Sequence, residues 1–144
     1  MIISVHNIPP GDEESMKVLI AVHGFPPTHS AGAEQAAERI ASWLASNHHE
    51  THVFALEKYD SQSVETKTDY YKGVVCYRLS YNIQDAGYGS NLRYDNPLVG
   101  SHFRDILEQG DFDIVHIVSG YLLGGQTVFR LRTLVGRVFR VHTV

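Results

Sequence analysis

The stretch "VLIAVHGFPPTHSAGAEQAAERIASWLA", residues 18–45, decides how the fold is read. Val18, Leu19, Ile20, Ala21 and Val22 form an unbroken apolar run. Such a run fits a strand covered on both faces, as in a parallel sheet. Gly24, Pro26 and Pro27 then interrupt the pattern, and a loop of small residues follows. Beyond it Ala33, Ala36, Ala37, Ile40, Ala41 and Leu44 recur at helical spacing and predict one apolar stripe. A strand that empties into a small-residue loop before a helix has two readings. It is a tight connection, or it lets a negatively charged group approach the backbone at the helix start.

Working outward, the chain keeps alternating strand and helix. "THVFAL" (51–56) and "GVVCYRLSY" (73–81) read as strands, rich in β-branched and aromatic residues. Leu98, Val99, Phe103, Ile106 and Leu107 give a second helix stripe. "FDIVHIVS" (112–119) is a strand, residues 123–135 a helix, and "RVFRVHTV" (137–144) a last strand. Residues 82–97, rich in Gly, Asn and Tyr, read as a long mobile loop. Strand–helix alternation predicts an α/β chain: a three-layer α/β/α Rossmann-like domain with a mainly parallel sheet. Residues 1–15 read as a flexible lead and 16–144 as the domain. In such sheets ligands bind beyond the carboxyl ends of the strands. That rule selects residues 24–32 and 119–125.

Composition narrows the class. The 144 residues are enough for one domain with a core. An apolar fraction of 43% and a formal net charge of -4 give no basic excess for nucleic acid. Cys76 is the single cysteine, so neither a disulfide nor a cysteine zinc site is expected, and a cytoplasmic location fits. No apolar run approaches the roughly 20 residues that span a bilayer, and no secretory leader is evident.

The chemistry-bearing residues each have a plain reading beside the functional one. Gly32 at the helix start, after Ala31, lets an anion come close to free N–H groups; equally, it is a cap, with Glu34 complementing the helix dipole. No G-x-G-x-x-G and no Walker lysine is present. His116 alternates with Val115 and Ile117 and reads as a core histidine or a catalytic candidate. His29 lies in the small-residue loop within reach of a ligand. His48, His49 and His52 cluster near a helix end; no carboxylate or cysteine set completes a metal site, so a solvated turn is the reading and no metal is expected.

"MKVLIAVHGFPPTHSAGAEQAAERIASWLASNHHETHVFAL" resembles the opening of the family 4-like retaining glycosyltransferases of the GT-B fold. Their first strand leads to Phe-Pro-Pro, a Gly-Gly-x-Glu loop and a long amphipathic helix. His49-Glu50-Thr51-His52-Val53 is similar to the Gly-His-Glu-Val-like start of their next strand. "FDIVHIVSGYLLGG" resembles their Asp-Val-Val-His strand and the loop after it. The likeness runs from Met16 to about Gly125. It implies transfer of a sugar from a nucleotide-diphosphate donor with retention, the donor diphosphate facing Ala31 and Gly32.

Two positions depart from the family pattern. Ala31 adds a methyl where the first loop glycine is expected. Val118 stands where many members carry the second histidine of His-x-His, and valine can neither move a proton nor donate a hydrogen bond. His29, Ser119, Gly120 and Tyr121 are then the acceptor-side candidates. The resemblance implies that residues 16–144 are an incomplete N-terminal, acceptor-side half, inactive alone for want of a nucleotide-binding C-terminal domain. No cofactor is expected. Its partners would be a nucleotide sugar, a sugar or lipid-linked acceptor, a second copy of the chain, and a membrane surface only peripherally. The alternatives are a non-catalytic binding or assembly module and an unrelated small Rossmann-like nucleotide-binding domain.

Overall fold

The computed structural model describes residues 15–82, 84 and 96–119 with their side chains, and the backbone of residues 2–4 and 140–142. Among the described residues seven strands and two helices follow in the order β1 (Ile2–Ser4), β2 (Lys17–Val22), α1 (Gly32–Ser46), β3 (Glu50–Lys58), β4 (Asp60–Tyr71), β5 (Val74–Asn82), α2 (Pro97–Gly110), β6 (Ile114–Ile117) and β7 (Arg140–His142). The strands form one sheet in the order β4-β5-β3-β2-β6-β1-β7.

This sheet corrects the expected architecture. β5, β3, β2 and β6 run parallel to one another. β4 pairs antiparallel with β5, and β1 pairs antiparallel with β6 and with β7. Half of the neighbouring pairs are therefore antiparallel, and strand outweighs helix. The domain is a small mixed-sheet α/β fold rather than a three-layer Rossmann-like α/β/α domain with a mainly parallel sheet. The difference arises at the two sides of the sheet. β4 is a twelve-residue strand almost wholly exposed, so it carries no apolar run to announce it. Lys72 and Gly73 join it to β5, both with positive φ (49° and 80°), the conformation of a tight two-residue hairpin turn. On the other side, β1 comes from the stretch read as a lead.

The parallel centre explains the apolar runs. Val18, Leu19, Ile20, Ala21 and Val22 are at most 2% exposed because β2 lies between β3 and β6 with side chains on both faces. Val18, Ile20 and Val22 join Phe25, Val53, Ala55, Val74 and Cys76 beneath Ala37 and Ala41 of α1. The two alanines let the helix lie close to the strands. Leu19 and Ala21 face the opposite way, toward Val99 and Phe103 of α2, with Phe54, Leu79, Val115 and Ile117. α2 begins where its sequence says it should. Asn96 Oδ1 accepts from the Leu98 N–H at 3.0 Å, and Pro97 fills the first position, where no N–H is needed. It ends at Asp111, in the left-handed conformation. Most of the predicted 82–97 loop and the predicted 123–135 helix lie outside the described residues. Among the described residues no helix is long and apolar enough to cross a membrane.

Candidate functional site

Parallel pairing of β2 with β6 brings two polar residues together at the carboxyl ends of the strands. Val18 pairs with Ile114 and Ala21 with Ile117. The same offset of 96 residues carries on past both strands and sets His23 opposite Ser119. His23 Nδ1 and Ser119 Oγ are 2.9 Å apart. A third side chain arrives from the first turn of α1: Glu34 Oε1 lies 3.1 Å from His23 Nε2. Glu34 is only 5% exposed, and its Oε2 has no hydrogen-bond partner among the described residues.

The roles at His23 and Ser119 follow the imidazole tautomer. With the hydrogen on Nε2, the nitrogen 3.1 Å from Glu34, Nδ1 accepts from the Ser119 hydroxyl. Gly24 makes the arrangement possible. A Cβ there would sit 2.8 Å from His29 Cβ and 3.0 Å from Glu34 Oε1, closer than packed atoms tolerate.

The loop after β2 is tied down separately. Arg78 of β5, itself buried, donates from Nη1 to the Phe25 carbonyl at 3.2 Å and from Nη2 to the Pro26 carbonyl at 2.7 Å. Its Nε reaches both carboxylate oxygens of Asp69 at 3.1 and 3.0 Å. Glu57, at the end of β3, accepts from Thr28 Oγ1 at 2.6 Å, and its carbonyl accepts from His29 Nε2 at 2.9 Å. The segment between β2 and α1 is thus held by β3 and β5.

The sequence-predicted candidates do not all converge on this cluster. Ser119 belongs to the cluster. Ala31 and Gly32 stand at the exposed start of α1, where Ala31 makes no side-chain cap and a Cβ on Gly32 would meet nothing within 4 Å. His29 is spent on Glu57 and the Phe25 carbonyl, to which its N–H donates at 3.2 Å. Gly120 and Tyr121 lie outside the described residues. Val118 donates its N–H to the Ala21 carbonyl at 3.0 Å and packs against the α1-side core. His116 sits on β6, and burial lowers its imidazole pKa below the ordinary value.

His48, His49 and His52 do not converge. His49 Nδ1 accepts from the Met16 N–H at 3.2 Å. His52 is bound between Glu50 (2.8 Å) and the Tyr77 hydroxyl (3.0 Å). No three His, Cys, Asp or Glu side chains form a metal-binding group among the described residues.

His23 and Glu34 are the residues that sequence reading does not bring together. His23 directly follows the apolar run and draws no reading of its own from the pattern. Glu34 reads as a helix-dipole partner. Strand-end position was the available signal for His23, since the adjacent loop was already selected on that ground.

The cluster offers a hydroxyl hydrogen-bonded to an imidazole, and a buried carboxylate 3.1 Å from the other ring nitrogen. It can recognise hydroxyl groups or move a proton. No protein-family model and no curated protein matches the chain.

Proposed function

We propose that this domain is the acceptor-side part of an enzyme that moves a sugar from a nucleotide-diphosphate donor to a sugar or lipid-linked acceptor with retention. The nucleotide would be held by a further domain, and the work would be done in the cytoplasm. One observation carries the reading: Ser119 and His23 meet Glu34 at the strand ends, beside the open start of α1. A hydroxyl, an imidazole and a carboxylate are the groups that recognise sugar hydroxyls. The exposed Ala31–Gly32 backbone gives a diphosphate a place to approach. The buried Glu34 carboxylate in the same turn opposes an anion there, so donor affinity would come mainly from the nucleotide-binding domain.

Val118 favours a second reading. Its side chain is taken up by the core, and nothing replaces the expected histidine at that position. A binding module with the same site and no turnover follows from this.

Calorimetric titration with a panel of nucleotide sugars and saturation-transfer NMR with simple glycosides test the proposal. The expected result is no turnover, nucleotide-sugar binding weaker than micromolar, and saturation transfer to a glycoside that Ser119→Ala diminishes. A micromolar dissociation constant for a nucleotide sugar, or no glycoside contact at all, overturns it. Turnover on adding a nucleotide-binding domain separates the enzyme from the binding module.

A further inference from the structure

We propose that Ser119, His23 and Glu34 form a nucleophilic relay that accepts an acyl group from a small neutral carboxylic ester. This inference does not rest on sugar transfer. It rests on three side chains from three separate elements: the end of β2, the first turn of α1, and the residue two beyond β6. A serine nucleophile needs a base within hydrogen-bond reach, and that base needs a third group to orient it. Ser119 Oγ is 2.9 Å from His23 Nδ1, and Glu34 Oε1 is 3.1 Å from His23 Nε2.

The carboxylate is suited to this role. Glu34 is 5% exposed, and its Oε2 has no hydrogen-bond partner among the described residues. Its Oε1, 3.1 Å from Nε2, is placed to stabilise the imidazolium that forms when Nδ1 takes a proton. The His23 side chain is itself a quarter exposed, so a substrate can reach the relay from solvent. The buried negative charge also sets the substrate class. It repels phosphoryl anions and tolerates an uncharged ester.

The step balances within these groups and water. The Ser119 hydroxyl gives its proton to His23 Nδ1 as Oγ bonds to the ester carbonyl carbon. The ester C–O bond breaks, and the leaving alkoxide takes that proton from Nδ1. Water then attacks the acyl-serine under the same base, releasing the acid and restoring Ser119. Glu34 is a positioning residue; Ser119 and His23 are the reacting groups.

The molecule contains its own control. Glu50, His52 and the Tyr77 hydroxyl form a second carboxylate–imidazole–hydroxyl chain, with His52 Nε2 2.8 Å from Glu50 and Nδ1 3.0 Å from Tyr77. There His52 is buried and stacked on the Tyr77 ring, and burial raises the phenol pKa, so it is a packing arrangement.

The test uses the full chain, a fluorophosphonate probe and p-nitrophenyl acetate, with circular dichroism to confirm that each variant folds. The expected result is one probe adduct, mapped by mass spectrometry to Ser119 and not to Tyr77. Labelling should be lost in Ser119→Ala and slowed about a hundredfold in His23→Ala, with partial rescue by added imidazole. Glu34→Gln should slow labelling about tenfold or more and shift the His23 tautomer in histidine 15N spectra. A wild-type chain that stays unlabelled overturns the relay. So does labelling of Ser119 at an unchanged rate in folded His23→Ala. Unchanged labelling in folded Glu34→Gln removes Glu34 from it.

Discussion

Arg78 on β5 grips Asp69 on β4 with its Nε at 3.0 and 3.1 Å from the two carboxylate oxygens, and turns its remaining nitrogens to the carbonyls of Phe25 and Pro26. One buried guanidinium thus joins the exposed hairpin to the loop that carries His23. Its Nη1 is also 3.6 Å from Glu57 Oε2. Removing it would take the guanidinium donors from the Pro26 carbonyl and the Asp69 carboxylate, while Phe25 and Glu57 keep His29 and Thr28. Arg78→Met is expected to lower stability by about 3 kcal/mol in urea unfolding, the size seen when one partner of a buried pair is deleted. Arg78→Lys should recover only part of this, because a point charge cannot serve Asp69 and two carbonyls as a planar fork does. Equal stability of the Lys variant and the wild type would show that the fork geometry is immaterial.

Gly24 and Gly32 flank the same loop and should respond in opposite directions. A Cβ at Gly24 would press to 2.8 Å on His29 Cβ and 3.0 Å on Glu34 Oε1. Gly24→Ala is therefore expected to cost about 1–3 kcal/mol and to displace Glu34 from His23. A Cβ at Gly32 would meet nothing, and the residue begins α1. Gly32→Ala is expected to stabilise the chain by about 0.4–1 kcal/mol, by restricting the unfolded backbone. Thermal melts of the two variants decide the matter, and a destabilised Gly32→Ala would contradict the geometry.

The sequence speaks where burial dictates residue type and is silent where it does not. Val18 to Val22 must be apolar because both faces of β2 are covered, so the strand is plain to read. The α1 stripe is legible for the same reason. β4 is not, because an exposed edge strand needs only tolerable β-formers, and "DSQSVETKTDYY" has no apolar face to repeat. Its Lys72–Gly73 turn was the readable signal. The parallel-sheet inference failed at the sides of the sheet, where β4, β1 and β7 pair antiparallel. For the site, strand ends pointed to Ser119. Its partners His23 and Glu34 lie 96 and 85 positions away, and only strand register and the placement of α1 bring them near. The Arg78–Asp69 contact, nine positions apart, likewise depends on a hairpin that apolar patterning does not announce.

Cys76 should be silent in the native protein. It is 1% exposed on β5, and burial pushes its thiol up to about 11. At pH 8 only about one thiol in a thousand would be ionised, and reagents need the thiolate. Modification by Ellman's reagent is expected to require unfolding, so its rate should rise with urea in step with the loss of circular dichroism. Fast labelling without denaturant would mean that β5 opens locally on its own.

Acid should destabilise the fold in two stages, and the sign follows from the direction of each shift. Burial lowers the His116 pKa from its ordinary 6.5, so the unfolded chain takes up that proton first. The corresponding stability is complete above 6.5 and is lost as pH falls from there through the lower, folded value. Glu50 and Glu38 titrate next. The hydrogen bond from His52, with Lys17 adding to it, holds Glu50 below the ordinary 4.5. The hydrogen bond from Lys72 does the same for Glu38, helped by Tyr71. Depressed carboxyls stabilise above 4.5, and that contribution disappears as pH falls through their folded values. Urea midpoints measured from pH 7.5 down to 3 should therefore begin to fall below about 6.5. His116→Gln is expected to flatten the first part of that decline and leave the second. The double change Glu38→Gln with Glu50→Gln should shrink the part below 4.5, while the exposure of one partner in each pair, Glu50 and Lys72, keeps that effect small. A His116→Gln profile that tracks the wild type across the first stage would show that His116 is not buried at the expense of its charged form.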